Sequence, residues 1–388
     1  MAWLGGLVAL LLIAGCAFTV WLYLVGPWRA VDMSVRAPAP QPELTTDANT
    51  WRNQRPAVLE TFELEVYGEM PAPIAPVVAR KEQIDAVRAG GIERVEQWRV
   101  ELGVAGHFHM AITRPPGDAP APVIVVLNFA GNQAAFPNRP RAIEGPAGYI
   151  QWFCKYDVLD PILERVFGRW INGPPLEQIA ARGYAIALVY PGDIVPDREA
   201  EARAALARFA PADTGALMAW AWTASRAYDA LAADSRFDAQ RIALWGQSRQ
   251  GKAALLAGAY DERFAAIVAL QTGRGGDAPT RAFAGETIAQ MLRAYPHWFA
   301  PRFAAQAPSI EQHHLLALIA PRPLLLGHAK RDTWSDPVGA RAVREAAAPV
   351  FAALGAEAPA HFIRDGGHGI RSRDWRETLN FLDARLRG

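Results

Sequence analysis

The sequence predicts an α/β fold in which helices cover both faces of a mostly parallel central sheet. Short apolar runs alternate with helical segments from about residue 123 to the C-terminus. The runs are continuously apolar, which is typical of parallel strands that are covered on both sides. Reactive side chains follow several of these runs, and ligands of such sheets bind at the carboxyl ends of the strands.

The elements are predicted from apolar run length and spacing, in chain order. A small N-terminal layer has a short helix at 51–62 and strand-like pieces at 94–104 and 107–113. The main sheet is predicted to use short apolar runs as strands, at 123–128, 185–190, 242–245, 265–270, 323–327 and 360–364. Helices are predicted where apolar residues recur at helical spacing, at 215–232, 252–260, 338–354 and 373–386.

Composition excludes some classes of protein. The chain of 388 residues has 40 Lys plus Arg against 39 Asp plus Glu, so nucleic acid is not an expected partner. The two cysteines are Cys16 and Cys154, and Cys16 lies in the N-terminal apolar segment. The folded part therefore cannot close an internal disulfide. No metal and no cofactor are expected, and the folded domain is expected to be monomeric.

The N-terminus predicts a hydrophobic anchor or signal segment over residues 1–28. Residues 2–28 carry no charged side chain, and this stretch exceeds the roughly 20 residues needed to cross a bilayer. Two alternatives are a lipoprotein modified at Cys16, which follows Ile-Ala-Gly, and a cleaved signal peptide. A proline-rich linker is predicted at 29–44, and the α/β domain at 45–388.

The stretch 241–256 carries a candidate nucleophile. An apolar run ends at Gly246, Ser248 follows in a short turn, and an Ala/Leu-rich helical segment begins at once. This is the sequence form of a nucleophile elbow, in which a serine lies on a sharp strand-to-helix turn. The second glycine, Gly251, comes one residue later than in the usual Gly-x-Ser-x-Gly pattern. Ser248 is therefore predicted to be the nucleophile.

A serine nucleophile needs a base and an acid that orients the base. His368 lies in a glycine-rich loop between a late strand and the last helix and is the predicted base, with His328 as the second candidate. Asp332, after the strand at 323–327, is the predicted acid. Asp336 is the alternative acid, but the proline after it favours a helix N-cap. Three other histidines are predicted to be core or surface residues: His297, His313 and His314.

The oxyanion and the substrate have candidate partners beside Ser248. The backbone N–H of Arg249 is the expected first donor, and the loop at 128–132 should supply the second. The Arg249 guanidinium could also face the oxyanion, or else lie on the surface. Lys252 lies one helical turn after Ser248. A cation there opposes the helix dipole, which suggests a ligand, although a solvated lysine is the alternative.

Several separated segments from about Trp51 to the C-terminus resemble the glucuronoyl esterases, carbohydrate esterase family 15. The elbow Gly-Gln-Ser-Arg-Gln-Gly-Lys at 246–252 is similar to the Gly-Cys-Ser-Arg-x-Gly-Lys form of the family, including the late glycine. Further similar segments lie at 127–132, 182–185, 190–193, 219–222, 273–276, 285–288 and 296–299.

The resemblance implies an α/β-hydrolase, a three-layer sandwich with a mostly parallel central sheet. It implies cleavage of 4-O-methyl-glucuronic acid esters, such as those between xylan and lignin. It implies Ser248 as nucleophile, His368 as base, the Arg249 side chain as oxyanion donor and Lys252 as partner of sugar hydroxyls. Two further residues are implied to line the sugar site, Glu286 and Trp334, with a surface ion pair and core packing as the alternatives.

One position departs from the family. Many members carry the catalytic glutamate at the start of a Glu-x-Gly-x-Gly-Gly segment, where this chain has Gln271. Glutamine cannot supply the negative charge that stabilises an imidazolium. Either Asp332 supplies it, as in members with an acid in the later loop, or the enzyme is impaired.

The alternatives to a glucuronoyl esterase therefore stay open. One is an acetyl or other carbohydrate esterase on the same fold, and another is a catalytically weakened, membrane-tethered carbohydrate-binding protein. For localisation, Arg29 and Arg36 favour a cytoplasmic side for the domain, whereas a plant-wall ester favours the periplasmic side of a bacterial inner membrane. The second is the expectation.

Overall fold

A central sheet of nine strands organises the computed structural model. The structure describes residues 29–84, 94–129, 131–136, 142–144, 173–281 and 284–387, with seven isolated positions before residue 27. The strands are β1 Val77–Gln83, β2 Arg94–Glu101, β3 His107–Arg114, β4 Ala121–Leu127, β5 Ala185–Val189, β6 Phe237–Gln247, β7 Ala266–Leu270, β8 Leu324–Ala329 and β9 Ala360–Arg364. Their order is β1-β2-β3-β5-β4-β6-β7-β8-β9.

The sheet has an antiparallel edge and a parallel body. β1, β2, β3 and β5 pair antiparallel in that order, and the strands from β5 through β9 pair parallel. The predicted N-terminal layer is therefore an extension of the main sheet. The prediction missed β1, whose residues are mostly polar and exposed and so carry no apolar run.

Helices cover the sheet from both sides, as predicted. They are α1 Ala48–Phe62, α2 Leu176–Ala181, α3 Glu199–Leu206, α4 Ala216–Ala232, α5 Arg249–Tyr260, α6 Ile288–Ala294, α7 Pro301–Ala305, α8 Gln312–Ala317, α9 Pro337–Ala353 and α10 Ser372–Leu386. The helix after the elbow begins at Arg249, three residues earlier than predicted.

Alternate residues of β4 face the two helical layers. Val123, Val125 and Leu127 pack in one cluster with residues of α1, α4, α5 and α9, and Ile124 and Val126 pack in another with α2 and α10. All five are fully buried, and burial of each contributes about 1.5–3 kcal/mol. These two clusters confirm a three-layer α/β sandwich.

The last helix is fixed against the centre of the sheet by an aromatic pair. Trp375 of α10 stacks on Trp245 of β6, with ring centroids 4.7 Å apart and planes 12° apart. Because the loop that carries His368 runs from β9 to α10, this contact also fixes one end of that loop.

The predicted N-terminal anchor falls mostly outside the described residues, as do Cys16 and Cys154. Within the described part of the chain, no helix has the length and apolar character needed to cross a membrane. The prediction over residues 2–28 is thus not tested by the structure.

The end of the predicted anchor and the segment after it pack on the loops that carry Asp332 and His368. Gly26 is buried, and a Cβ there would lie 2.4 Å from the Arg331 Cβ and 3.1 Å from the Gly367 Cα. Val31 N–H donates to the Lys330 carbonyl at 2.6 Å. Functional experiments should therefore retain residues 25–36.

Candidate active site

The turn between β6 and α5 forces Ser248 into a strained backbone conformation. Its φ is 55° and its ψ is −125°, a region that costs a non-glycine residue on the order of 1–3 kcal/mol. The Ser248 N–H donates to the Leu270 carbonyl of β7 at 2.8 Å, and its own carbonyl accepts from the Lys252 N–H at 3.0 Å. This geometry agrees with the predicted nucleophile elbow.

Two glycines permit the tight packing of helix on strand at this turn. A Cβ at Gly246 would lie 2.2 Å from the Gln250 carbonyl oxygen. A Cβ at Gly251 would lie 2.6 Å from the Thr272 Cγ2 and 3.1 Å from the Gly246 oxygen. The late glycine is therefore needed at 251, where the first turn of α5 crosses the ends of β6 and β7.

Gly246→Ala is expected to lower the free energy of unfolding by about 4 kcal/mol, because the contact is with backbone and the strand end cannot move away. Denaturant unfolding would measure this. Gly258→Ala is the matched control, since its Cβ meets flexible atoms of Ile267 and the helix interior favours alanine. Similar stability of the two variants would contradict the packing argument.

His368 lies against the buried carboxylate of Asp332. The His368 Nδ1 lies 2.7 Å from Asp332 Oδ2, and Asp332 is only 2% exposed. Burial acts to raise the pKa of Asp332, but the charge and hydrogen bond of His368 and the hydrogen bonds of Ser335 hold it below its ordinary value. Asp332 is therefore a carboxylate, placed to orient the imidazole and to stabilise its protonated form.

Asp336, the alternative acid, has the N-cap role that the sequence indicated. It is the N-cap of α9, with its side chain accepting from the Gly339 N–H at 3.0 Å. Its pKa is raised above the ordinary value, mainly by burial.

Gln271 holds the loop that carries His368. The Gln271 Nε2 donates to the Gly367 carbonyl at 3.0 Å, and the Gln247 Nε2 donates to the His368 carbonyl at 2.8 Å. A glutamate at 271 could not donate to that carbonyl. The glutamine that departs from the family pattern thus holds the backbone of the histidine loop.

A buried arginine also holds the loop that carries His368. Arg364 at the end of β9 donates to the carbonyls of Asp365, Gly367 and Gly369, and its Nε lies 2.7 Å from the Asp374 carboxylate. These bonds fix the position of His368 between β9 and α10.

His328, the second candidate for the base, has a different place. It lies at the end of β8 and is fully buried, with its Nε2 3.0 Å from Asp277 Oδ2 and its Nδ1 3.1 Å from His361 Nε2. The proposal of His328 as base is wrong on this geometry, since both ring nitrogens face buried side chains. Asp277 also accepts from the Thr272 hydroxyl at 2.5 Å.

Arg249 is neither a surface residue nor a loop cap. Its guanidinium forms an ion pair with Asp197 and donates to the Tyr295 hydroxyl at 3.2 Å. The guanidinium carbon lies 4.8 Å from the Tyr295 ring centre and 4.9 Å from that of Trp298. The guanidinium carbon is also 5.8 Å from the centre of the Phe129 ring. The loop after β4 therefore lies on the same side of the cavity as Arg249.

The second backbone donor for the oxyanion remains a prediction. Ala130, in the middle of the loop at 128–132, lies outside the described residues.

Lys252 is buried and not solvated. Its Nζ donates to the Thr272 carbonyl and lies 5.8 Å from the Trp298 ring centre. Burial lowers the pKa of Lys252 to about 8, although the nearby Glu286 carboxylate acts in the opposite direction. Buried amines titrate near neutral pH because charge is poorly solvated there.

One cavity of about 810 Å³ brings the predicted residues together. Six of them line its wall: Ser248, Arg249, Lys252, Glu286, Trp334 and His368. Asp332 lies behind His368 and outside the lining. The Trp334 ring is 51% exposed and stands edge-on to the His368 ring, with centroids 6.1 Å apart.

Arg274 holds the part of the wall that carries Glu286. Its guanidinium donates to the backbone carbonyls of Pro279, Ala284 and Glu286. No group of three or more potential metal ligands occurs among the residues that the structure describes.

Sequence reasoning missed Asp197, Tyr295 and His297, which also line the cavity. His297 was predicted to be a core or surface residue, yet its Nε2 lies 2.9 Å from Asp197 Oδ1. Only the segment at 296–299 carried a signal, through its resemblance to the family.

Comparison with known proteins agrees with this geometry. Residues 208–355 match the family model for fungal glucuronyl esterase. A carbohydrate esterase from an unknown prokaryotic organism is 29% identical over 88% of this chain and 87% of its own length. A 4-O-methyl-glucuronoyl methylesterase from Phanerochaete chrysosporium is 35% identical over 40% of this chain, and the match spans 36% of that fungal protein.

Solved structures show the same fold over nearly the whole chain. The glucuronoyl esterase from Solibacter usitatus aligns with a TM-score of 0.74 and 29% identity, covering 93% of this chain and 99% of the other. An esterase of family 15 from a marine bacterial metagenome aligns with a TM-score of 0.73 and 26% identity, covering 92% and 99%.

The fold and these relatives define a carboxylic ester hydrolase of the α/β-hydrolase class. Within that class, the chain is similar to the glucuronoyl esterases, carbohydrate esterase family 15.

Proposed function

We propose that this esterase hydrolyses 4-O-methyl-glucuronoyl esters of the glucuronoxylan type through an acyl-enzyme on Ser248. The observation that carries the proposal is the Asp332–His368 pair at the elbow serine, in a cavity that also holds a buried lysine. The glucuronoyl acyl group is inferred from the names of the relatives, and the cavity has room for a sugar ring.

In the proposed reaction, the Ser248 hydroxyl attacks the ester carbonyl while His368 accepts its proton. The C–O bond to the alcohol then breaks, and the imidazolium returns the proton to the departing oxygen. Water repeats the sequence on the acyl-enzyme and releases the uronic acid. Arg249 would stabilise the oxyanion of both tetrahedral intermediates.

The alternatives gain less support. A cavity of about 810 Å³ is far larger than an acetyl group requires. The weakened, carbohydrate-binding alternative depended on the missing acid at Gln271, and the Asp332 carboxylate at 2.7 Å from His368 favours an active enzyme.

The test is a kinetic panel with the full chain in detergent. It compares methyl and benzyl glucuronate with acetylated xylan and an aryl acetate. We expect kcat/KM for the glucuronate esters to exceed that for the acetyl esters by at least about tenfold, which is about 1.4 kcal/mol of transition-state binding. Hydrolysis of the acetyl esters alone, or of no ester, would refute the proposal.

Lys252→Met is expected to raise KM for methyl glucuronate about tenfold with a smaller change in kcat, because a charged hydrogen bond to sugar hydroxyls is lost. Since the pKa of Lys252 is about 8, the wild-type ammonium is present below pH 8 and is lost above it. KM of the wild type should therefore rise as the pH passes 8, and KM of Lys252→Met should not.

Lys81→Met is the control for that variant, because Lys81 is an exposed residue of β1 paired with Asp234. Its KM and pH profile should match the wild type. An unchanged alkaline rise of KM in Lys252→Met would show that another group causes it.

We also propose that residues 2–28 tether the enzyme to the periplasmic face of a bacterial inner membrane. The full chain should sediment with membranes and resist an alkaline wash, whereas a chain without residues 2–24 should be released. Cys16→Ser should remain membrane-bound if the segment is a helical anchor. A C-terminal reporter that works only outside the cytoplasm should be active, and an inactive, correctly expressed fusion would contradict the periplasmic side.

A further inference from the structure

We propose that Asp197 is a positioning residue that holds the guanidinium of Arg249 in place for oxyanion stabilisation. This rests on the proposed function, which gives Arg249 that role. Asp197 lies between β5 and α3, about fifty residues before the elbow in sequence and directly against it in space.

Three donors converge on the Asp197 carboxylate. Arg249 Nη1 pairs with Oδ2, while the Trp298 Nε1 donates to Oδ1 at 2.7 Å and the His297 Nε2 lies 2.9 Å from the same oxygen. The carboxylate is therefore fixed from the segment between α6 and α7, independently of the elbow.

Two aromatic residues also restrict the position of the Arg249 guanidinium. Tyr295 and Trp298 stack on each other, with centroids 3.9 Å apart and planes 4° apart, and the guanidinium carbon lies 4.8 and 4.9 Å from the two ring centres. An arginine side chain loses rotamer entropy when it is held in one position. Restraining it before the substrate binds removes that cost from the reaction, which is the meaning of preorganised electrostatic stabilisation.

The charge of Asp197 makes this role testable. Burial acts to raise the pKa of Asp197, but Arg249 and His297 lower it to about 2, so the carboxylate is ionised throughout the neutral range. A negative charge beside Arg249 weakens its attraction for an oxyanion. If charge alone mattered, removing Asp197 would therefore accelerate the reaction. If position matters, it will slow the reaction.

The experiment compares Asp197→Ala, Arg249→Ala and the double variant. We expect Asp197→Ala to lower kcat about 10- to 100-fold with KM within about twofold, and Arg249→Ala to lower it about 100- to 1000-fold. The double variant should match Arg249→Ala, because Asp197 acts only through that side chain.

Chemical rescue gives a measurement that a purely structural role of Asp197 would not change. Guanidinium ion added at millimolar concentration should restore part of the kcat of Arg249→Ala but none in the double variant, which lacks the carboxylate that would hold the ion. The matched control is Glu357→Gln, which removes a carboxylate that pairs with Arg385 and does not line the cavity, and its kcat should stay within twofold.

Three results would overturn the inference. They are a wild-type or higher kcat in Asp197→Ala, an equal loss from that change in the Arg249→Ala background, and an equal loss in Glu357→Gln. The series is run on both methyl glucuronate and an aryl acetate. Failure of the substrate proposal would then appear as inactivity of the wild type on glucuronate alone.

Discussion

Asp332→Asn is expected to lower kcat about 10⁴-fold, which corresponds to about 5.5 kcal/mol of activation free energy. The asparagine amide can donate to His368 Nδ1, which favours the tautomer with its proton on Nε2. That tautomer cannot accept the proton of Ser248. The imidazolium also loses the buried carboxylate that now lies 2.7 Å away. Steady-state kinetics on methyl glucuronate would measure the change.

Asp336→Asn is the matched control for this prediction. It removes a carboxylate four residues further along the same loop, and asparagine retains the N-cap acceptor for Gly339. Its kcat should remain within about threefold of the wild type. Equal kcat for Asp332→Asn and the wild type would show that the acid lies elsewhere.

Ser248→Ala is expected to lower kcat by about 10⁴-fold or more, because no acyl-enzyme can form. The residual rate would come from binding and the oxyanion donors alone. Substrate affinity should change little, since the hydroxyl contributes only a small part of the cavity wall. The measurement is kcat together with the dissociation constant of a slowly hydrolysed glucuronate ester.

Ser335→Ala provides the comparison for a serine in the same cavity. The Ser335 backbone N–H donates to the Asp332 carboxylate at 3.3 Å, and this bond survives the change. The hydroxyl donates to the Asp332 backbone carbonyl at 3.4 Å, which is a long hydrogen bond. A kcat within about threefold of the wild type is expected. Substantial turnover by Ser248→Ala would contradict a nucleophilic role for Ser248.

Features governed by local sequence were predictable. The elbow depends on a strand end, a turn and a helix start within a few residues, so Gly246 and Ser248 could be assigned directly. Asp332 and His368 follow consecutive parallel strands, β8 and β9, whose carboxyl ends must be neighbours. Topology alone therefore brought Asp332 to His368.

Features that depend on distant contacts were not predictable. His328 follows a strand as His368 does, and only its burial against Asp277 separates the two. Asp197 meets His297 across a hundred residues of sequence, without a spacing that sequence analysis could detect. The support that Gln271 gives to the histidine loop depends on a carbonyl 96 residues away.

The most direct test of the account is the low-field proton NMR signal of the His368 Nδ1–H that is hydrogen-bonded to Asp332. A strong hydrogen bond from a buried imidazole to a carboxylate shifts this proton well away from the amide region. The account predicts a resonance in the wild type that persists in Gln271→Ala and Asp336→Asn and disappears in Asp332→Asn. A resonance that survives in Asp332→Asn would contradict the assignment of Asp332 as the catalytic acid.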